Sequence, residues 1–179
     1  MTSTGSAGQS IRVGISSCLL GNEVRYDGGH RYNAAIMDSM GGLFEFIPFC
    51  PEVAIGLGVP RPTIQLVRSG GAIRVRGVED PTQDVTDALV AYGHEIVQQL
   101  DAISGYIFKR GSPSCGIQGV DIFDSRTGGS VDTGAGMFAD TIMHALPGLP
   151  VEDESQLVEP QQRDNFIKRV QDYHQARQA

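Results

Sequence analysis

Three cysteines, Cys18, Cys50 and Cys115, are the only thiols in a chain of 179 residues. Each follows an apolar run and opens a Gly- or Pro-rich turn, in the strings SSCLLGNEVRYDG, FCPEVAIGLGVPRP and KRGSPSCGIQG. If those runs are strands of one α/β sheet, their ends gather at one edge, where such folds place ligand sites. Three thiolates meeting there can hold a metal or an iron–sulfur cluster and leave one position open for a substrate. The competing reading is three reduced thiols buried as small hydrophobes. An odd number of cysteines cannot pair fully, and a chain of this length does not need a disulfide scaffold.

The neighbours of the thiols are the residue types that chemistry at such a site needs. Glu52 stands two residues after Cys50, within reach of whatever fills an open position. A carboxylate in a desolvated cleft serves as general base or acid near neutral pH; in the first turn of a helix it also complements the dipole. Ser112 and Ser114 flank Pro113 ahead of Cys115, and Ser16 and Ser17 precede Cys18. Their hydroxyls orient a substrate or cap a turn. Arg25, Tyr26 and Asp27 offer a guanidinium, a phenol and a carboxylate to a planar polar ring. Arg61, stiffly presented between Pro60 and Pro62, suits a substrate anion or a structural acid. Lys109 with Arg110 is the candidate for a single phosphate. Of the four histidines only His30 lies where it could face the site.

Several common sites are excluded. No C-x-x-C pair exists, so zinc-ribbon and thioredoxin-like motifs are absent. After His94–Glu95, Gln98 occupies the second histidine position of H-E-x-x-H. There is no G-x-S-x-G, and the string from Gly14 to Gly21 lacks the Lys and Ser/Thr of a phosphate loop. The net charge of −7 argues against an extended nucleic-acid surface and for a small ligand.

The elements that must position these residues follow from periodicity. Ile11–Ser17 reads as a first, central strand and Leu43–Phe49 as a second; Gly105–Phe108 and Val120–Phe123 read as short strands. Asn33 is a helix N-cap for a short helix through Met40, and Pro51 opens a helical turn through Ile55. Thr63–Val67 and Ile73–Arg76, around Ser69–Gly70–Gly71, form a hairpin. Val85, Leu89, Tyr92, Ile96 and Leu100 predict a helix over 82–100, with Pro81 at its start. Met137, Phe138, Ile142 and Leu146 predict another over 134–146. Residues 161–178 form a polar amphipathic helix with Phe166, Ile167, Val170 and Tyr173 on its apolar side. Alternating strands and helices imply an α/β fold: a single domain over 11–179, with a mostly parallel sheet flanked by helices and the hairpin as an excursion. Residues 1–10 read as a disordered lead-in, not a secretory signal, and no apolar run approaches the roughly 20 residues of a membrane span. A cytoplasmic location is expected.

Taken together and in order, SSCLLGNEVRYDGGHRYN, CPEVAIGLGVPRPTIQL and KRGSPSCG resemble a bacterial family once known only as a domain of unknown function and now described as [4Fe-4S]-dependent thiouracil desulfidases. The resemblance covers roughly residues 11–146. It implies that Cys18, Cys50 and Cys115 ligate three irons of a [4Fe-4S] cluster and that the fourth iron takes the sulfur of a thiolated base. It further implies that Glu52 activates water and that Ser112 assists, in a non-redox desulfuration yielding uracil and sulfide. The implied partners are a small thiolated pyrimidine and the machinery that assembles Fe–S clusters. Two other readings compete: a sulfur-transfer enzyme of tRNA thiolation, and a non-catalytic module holding a metal or cluster.

Overall fold

The computed structural model describes residues 10–179. The expected lead-in therefore falls outside the described residues except for Ser10, whose hydroxyl donates to Glu45 at 2.8 Å. In chain order the elements are β1 (Ile11–Ser16), α1 (Ala34–Met40), β2 (Phe44–Phe49), α2 (Pro51–Ala54), β3 (Ile64–Ser69), β4 (Ala72–Gly77), α3 (Thr86–Gln99), β5 (Ile103–Phe108), β6 (Val120–Asp124), β7 (Ser130–Gly134), α4 (Met137–Ala145), β8 (Val151–Asp153) and α5 (Pro160–Gln178). Short 3-10 turns follow β1, α3 and β8. No described helix is long and apolar enough to cross a membrane.

Four strands form one sheet in the order β2-β1-β5-β8, and all its pairings are parallel. The fully buried β5 and the apolar β1 take the middle, as a sheet covered on both faces requires. Strand β2 carries Pro48, which has no N–H for a ladder, and it lies at the edge where that is tolerated. One face packs Val13, Ile15 and Ile107 against Ile36 and Met40 of α1 and Phe166 and Val170 of α5. The other packs Tyr106 and Phe108 against Ile96 of α3 and Phe138, Ala139 and Ile142 of α4.

The register decides where the cysteines fall. Ser16 lies opposite Phe49 across β1 and β2, and Ile15 opposite Ile107 across β1 and β5. The three strands therefore end on one line, and each thiol loop starts from it. The chain passes from β1 to β2 on one side and later inserts β5 on the other. That reversal opens a crevice outside the strand ends.

The hairpin has a larger setting than an excursion. Strands β3 and β4 pair antiparallel as expected, but β3 also pairs in parallel with β6, and β6 with β7. The result is a second four-stranded sheet in the order β4-β3-β6-β7. Helix α3 and the residues that cap it serve both sheets, with Val85 and Leu89 on the second and Ile96 and Leu100 on the first.

Two helix starts come later than periodicity predicts. Helix α3 begins at Thr86 instead of 82, because Asp84 forms a bridge with Arg76 and is tied to β4. Its carboxylate accepts from Arg74 Nε at 2.9 Å, Arg76 Nε at 3.2 Å and the Thr86 N–H at 3.1 Å, while the Thr86 hydroxyl accepts the Val75 N–H at 2.7 Å. Helix α4 begins at Met137 instead of 134, because Gly134 belongs to β7. Strands β7 and β8 were not expected; both are short, and β7 is mostly exposed. Asn33 caps α1 as expected, its side chain accepting from the Ile36 N–H at 3.1 Å.

Burial pushes the Asp84 pKa up, but hydrogen bonds from Arg74, Thr86 and Arg76 outweigh it and hold the carboxyl well below the usual range. Its contribution is complete above the unfolded-state value of about 3.9 and fades as pH falls below that. Asp84→Asn is expected to lose about 1.5–3 kcal/mol of unfolding free energy at pH 7, as hydrogen bonds to a charged group do. The gap to wild type should narrow at pH 3, measured by chemical denaturation at both pH values.

Candidate functional site

The line of strand ends opens into a cavity of about 220 Å³ whose wall includes Cys18, Cys50 and Cys115 together with Ser17, Arg25, Tyr26, Glu52, Arg61, Lys109 and Ser112. All three cysteines are free thiols. Twelve of the fifteen candidate residues, Ser16 and Arg110 among them, thus meet in one place; Asp27, His30 and Ser114 do not line the cavity.

Each thiol is held by a different local device. Cys18 sits in the 3-10 turn after β1, and its carbonyl accepts the N–H of Gly21 at 3.3 Å and of Arg31 at 2.8 Å. Gly21 closes that turn at φ +91°, a conformation that favours glycine. Cys50 is the N-cap of α2, with Pro51 as first helical residue. Cys115 lies in the turn that buttresses α4. The N–H groups of Gly136, Met137 and Ala139 at the start of that helix donate to the carbonyls of Gly116, Pro113 and Ser114 at 2.7–3.0 Å. Contact there is so close that a Cβ on Gly136 would stand 2.6 Å from the Ser114 carbonyl carbon.

Burial raises the pKa of all three thiols. For Cys18 the cations of Arg25 and Lys109 pull the other way; for Cys50 the N–H groups of Val53 and Glu52 and the Arg61 cation do so. Cys115 is pushed highest, by burial and then by the negative charge of Glu52. The thiols feel one another as well: charge on Cys50 disfavours charge on Cys18 and Cys115. Ionising all three at once therefore calls for a cation among them. Among the described residues, no three His, Cys, Asp or Glu side chains close around the point that a single metal ion would fill. A donor set of three thiols and no fourth, spread around one cavity, suits a body larger than one ion, as an Fe–S cluster is.

Glu52 faces the same cavity and is gripped at both oxygens. Arg61 Nε donates to Oε2 at 2.7 Å, and the Ser114 hydroxyl donates to Oε1 at 2.9 Å. Two of roughly four acceptor positions remain open. Of the two roles open to Arg61, pairing with an acid is the one found. Its side chain is only 4% exposed, and Nη1 also donates to the carbonyls of Val24 and Gly58. One guanidinium thus ties together the loop after Cys18, the helix after Cys50 and the loop at 58–61. Ser114 is fully buried; it reaches the cavity only through Glu52. The Ser112 oxygen accepts the N–H of Ser114 at 3.1 Å and of Cys115 at 3.0 Å, so its own O–H proton is left to donate.

Three expectations change. Asp27 is exposed and stitches its own loop: Oδ1 accepts the Gly29 N–H at 2.9 Å. That bond, with Arg25 and Arg31 nearby, holds its pKa below the usual carboxylate value. The Lys109–Arg110 phosphate patch is already occupied. Lys109 Nζ pairs with Glu154, whose other oxygen accepts the Arg110 N–H at 2.7 Å, while Arg110 Nη1 donates to Ser155. His30 does not line the cavity; its Nδ1 accepts the Tyr32 N–H. Arg25 does face inward. It stacks 5.4 Å from the Tyr26 ring centroid, and its buried Nε has no hydrogen-bond partner.

Wall residues that sequence reasoning passed over are Val24, Phe49 and Arg31. Val24 and Phe49 adjoin selected residues, which was their signal. Arg31 is brought back by its own N–H bond to Cys18, which nothing in the string shows. A second cleft of about 510 Å³ shares Arg110 and Gly111 with the cavity and is lined also by Gln118, Thr133, Asp153 and Gln156.

The sequence pattern of the 2-thiouracil desulfurase family matches residues 13–154, a span that holds all three cysteines and Glu52. A Bacillus subtilis (strain 168) protein, YbbK, described as uncharacterized, is 30% identical over 154 residues, which is 80% of this chain and 95% of that one. Among solved structures, the [4Fe-4S]-dependent thiouracil desulfidase TudS superposes with a TM-score of 0.62 at 32% identity, covering 83% of this chain and 93% of its own. With that agreement in sequence and fold, the chain belongs to the 2-thiouracil desulfurase family.

Proposed function

We propose that this protein is an iron–sulfur enzyme that desulfurates thiouracil-type bases or nucleosides, giving uracil and sulfide, with Cys18, Cys50 and Cys115 as the ligands of a [4Fe-4S] cluster. The observation that carries the reading is the three thiols in the wall of one cavity with the Glu52 carboxylate, in a chain with no fourth cysteine. Membership of the family and likeness to a [4Fe-4S]-dependent thiouracil desulfidase support it. When bound, such a cluster supplies a Lewis-acidic iron without a protein ligand, which withdraws charge from a thiocarbonyl.

The chain's own residues supply the rest. Water attacks the thiocarbonyl carbon, and Glu52 takes its proton on an open lone pair. The net change is C=S plus water to C=O plus hydrogen sulfide. Arg61 and Ser114 orient that carboxylate, so its reorganisation cost is met by folding. The Ser112 O–H is free to donate to the substrate or the attacking oxygen. Arg25 brings a cation to the wall for the polar edge of the ring, beside the apolar surface of Val24 and Phe49. Tyr26, stacked with Arg25, stands at the mouth. The second cleft across Arg110 and Gly111 leaves room for a sugar. Cluster loading makes the Fe–S assembly machinery a partner.

The deciding experiment is anaerobic reconstitution. Iron and acid-labile sulfide are expected at cluster stoichiometry, with uracil and sulfide released from thiouracil; protein that binds neither overturns the reading. Each of Cys18→Ala, Cys50→Ala and Cys115→Ala should keep the wild-type circular dichroism while cluster absorbance and turnover are lost. Glu52→Gln should retain the cluster and lose about 10²–10⁴-fold in single-turnover uracil release, the usual cost of a missing general base. A rate within about threefold of wild type, far short of that cost, would place the base elsewhere.

Arg61→Ala leaves the half-buried Glu52 without its cation and severs three loops. It is expected to cost about 3–5 kcal/mol of unfolding free energy, as breaking one side of a buried pair does. The double variant with Glu52→Gln should lose less than the sum of the two single changes, a cycle read by urea denaturation.

A further inference from the structure

The ring of Tyr106 is fixed on all sides and fully buried. It stacks on Phe108 with centroids 4.0 Å apart and on Phe49 at 5.8 Å, and meets Phe138 edge-on at 6.2 Å. Its strand neighbour is Gly14, where a Cβ would stand 2.5 Å from Tyr106 Cδ2. A residue without a side chain on the central strand thus makes room for this ring. So confined, the hydroxyl cannot swing to solvent, and it has no hydrogen-bond partner. Buried hydroxyls almost always have one. If packing were the whole purpose, phenylalanine would fill the same space without stranding a polar atom.

Tyr106 itself does not line the cavity, but the neighbours of its ring suggest what the hydroxyl is for. Tyr106 and Cys115 belong to one buried cluster, and Phe49, on which the ring stacks, adjoins Cys50 and lines the cavity. After burial itself, negative charge on Cys115, Tyr92, Cys50 and Cys18 acts against ionisation of this phenol, so it keeps its proton. A neutral thiol is a weak acceptor; a thiolate or inorganic sulfide is a strong one. We infer that the Tyr106 hydroxyl is the hydrogen-bond donor reserved for a sulfur of the Fe–S group held by Cys18, Cys50 and Cys115. The inference rests on the proposed cluster site. It makes Tyr106 a positioning and tuning residue: donors to cluster sulfurs stabilise the more negative, reduced state and raise the potential.

Tyr106→Phe keeps the ring and its stacks and removes only the donor. The test compares wild type and variant, each anaerobically reconstituted and assayed first for iron and sulfide. Three results are expected in the variant: a more negative reduction potential, loss of the D2O-sensitive shift in the Fe–S stretching bands that wild type shows by resonance Raman, and a thermal midpoint below wild type when loaded but equal or higher when cluster-free. Equal potentials, with the same change in midpoint in both forms, overturn this inference alone. Wild type that takes up no iron and sulfide overturns the cluster site and this inference with it.

Discussion

The level register of three parallel strands is the constraint on which the site depends. Ser16, Phe49 and Phe108 end their strands side by side because β1 pairs with β2 and β5 without offset at that edge. A slip of one residue would move a thiol loop by about 3.3 Å and turn its flanking side chains to the opposite face. Burial on both faces prevents the slip: Val13, Ile15 and Ile107 lie among α1 and α5, and Tyr106 and Phe108 among α3 and α4. Hydrophobic patterning thus sets the coordinates of the three thiol loops, which add Leu19, Cys18 and Cys115 to the core.

Register brings the loops together; polar bonds lock them. The Lys109 N–H donates to the Ser16 hydroxyl at 2.9 Å and joins the ends of β5 and β1. Arg61 joins the other two loops through Glu52 and Val24. Ser114 joins Glu52 to the turn of Cys115, and the start of α4 holds that turn from behind. Because β7 leads directly into α4, the second sheet bears on the position of the third thiol. A buried ion pair such as Arg61–Glu52 gives little net stability, since desolvation offsets much of the attraction. What it does supply is direction: a carboxylate with both oxygens bonded has one orientation relative to the thiols.

Much of this was legible in the string. The three apolar runs, the Asn33 cap, the hairpin at Gly70–Gly71 and the apolar side of α5 are local signals, and the structure has them. The thiols, Glu52 and Arg61 stood out because reactive types sat at strand ends beside glycine and proline. What the string does not show is long-range pairing. Nothing near residue 84 reveals that Arg74 and Arg76 will delay a helix, nor near 109 that Glu154 will neutralise a lysine. The partnership of β3 with β6 is likewise non-local, which turns an expected hairpin into half of a second sheet. Asp27 misleads for the opposite reason: its bond to Gly29, two residues on, is a short-range turn that uses a carboxylate in a motif otherwise aimed at the cavity.

The distribution of unsatisfied polar atoms carries the argument one step further. Among the described residues, two buried side-chain atoms have no partner, Arg25 Nε and Tyr106 Oη. Arg25 is a wall residue of the cavity, its Nε 3.8 Å from Asp27 Oδ1, and Tyr106 lies in the buried cluster that includes Cys115. Both are donors, and the three raised thiols ionise only in company with positive charge and hydrogen-bond donors. A sequence selected for stability alone would have satisfied or removed these donors. Local rules broken beside the proposed cluster ligands are the mark of a functional site. The surplus of donors would suit the proposed sulfur-rich, negatively charged occupant, a different property from the three ligands that would hold it.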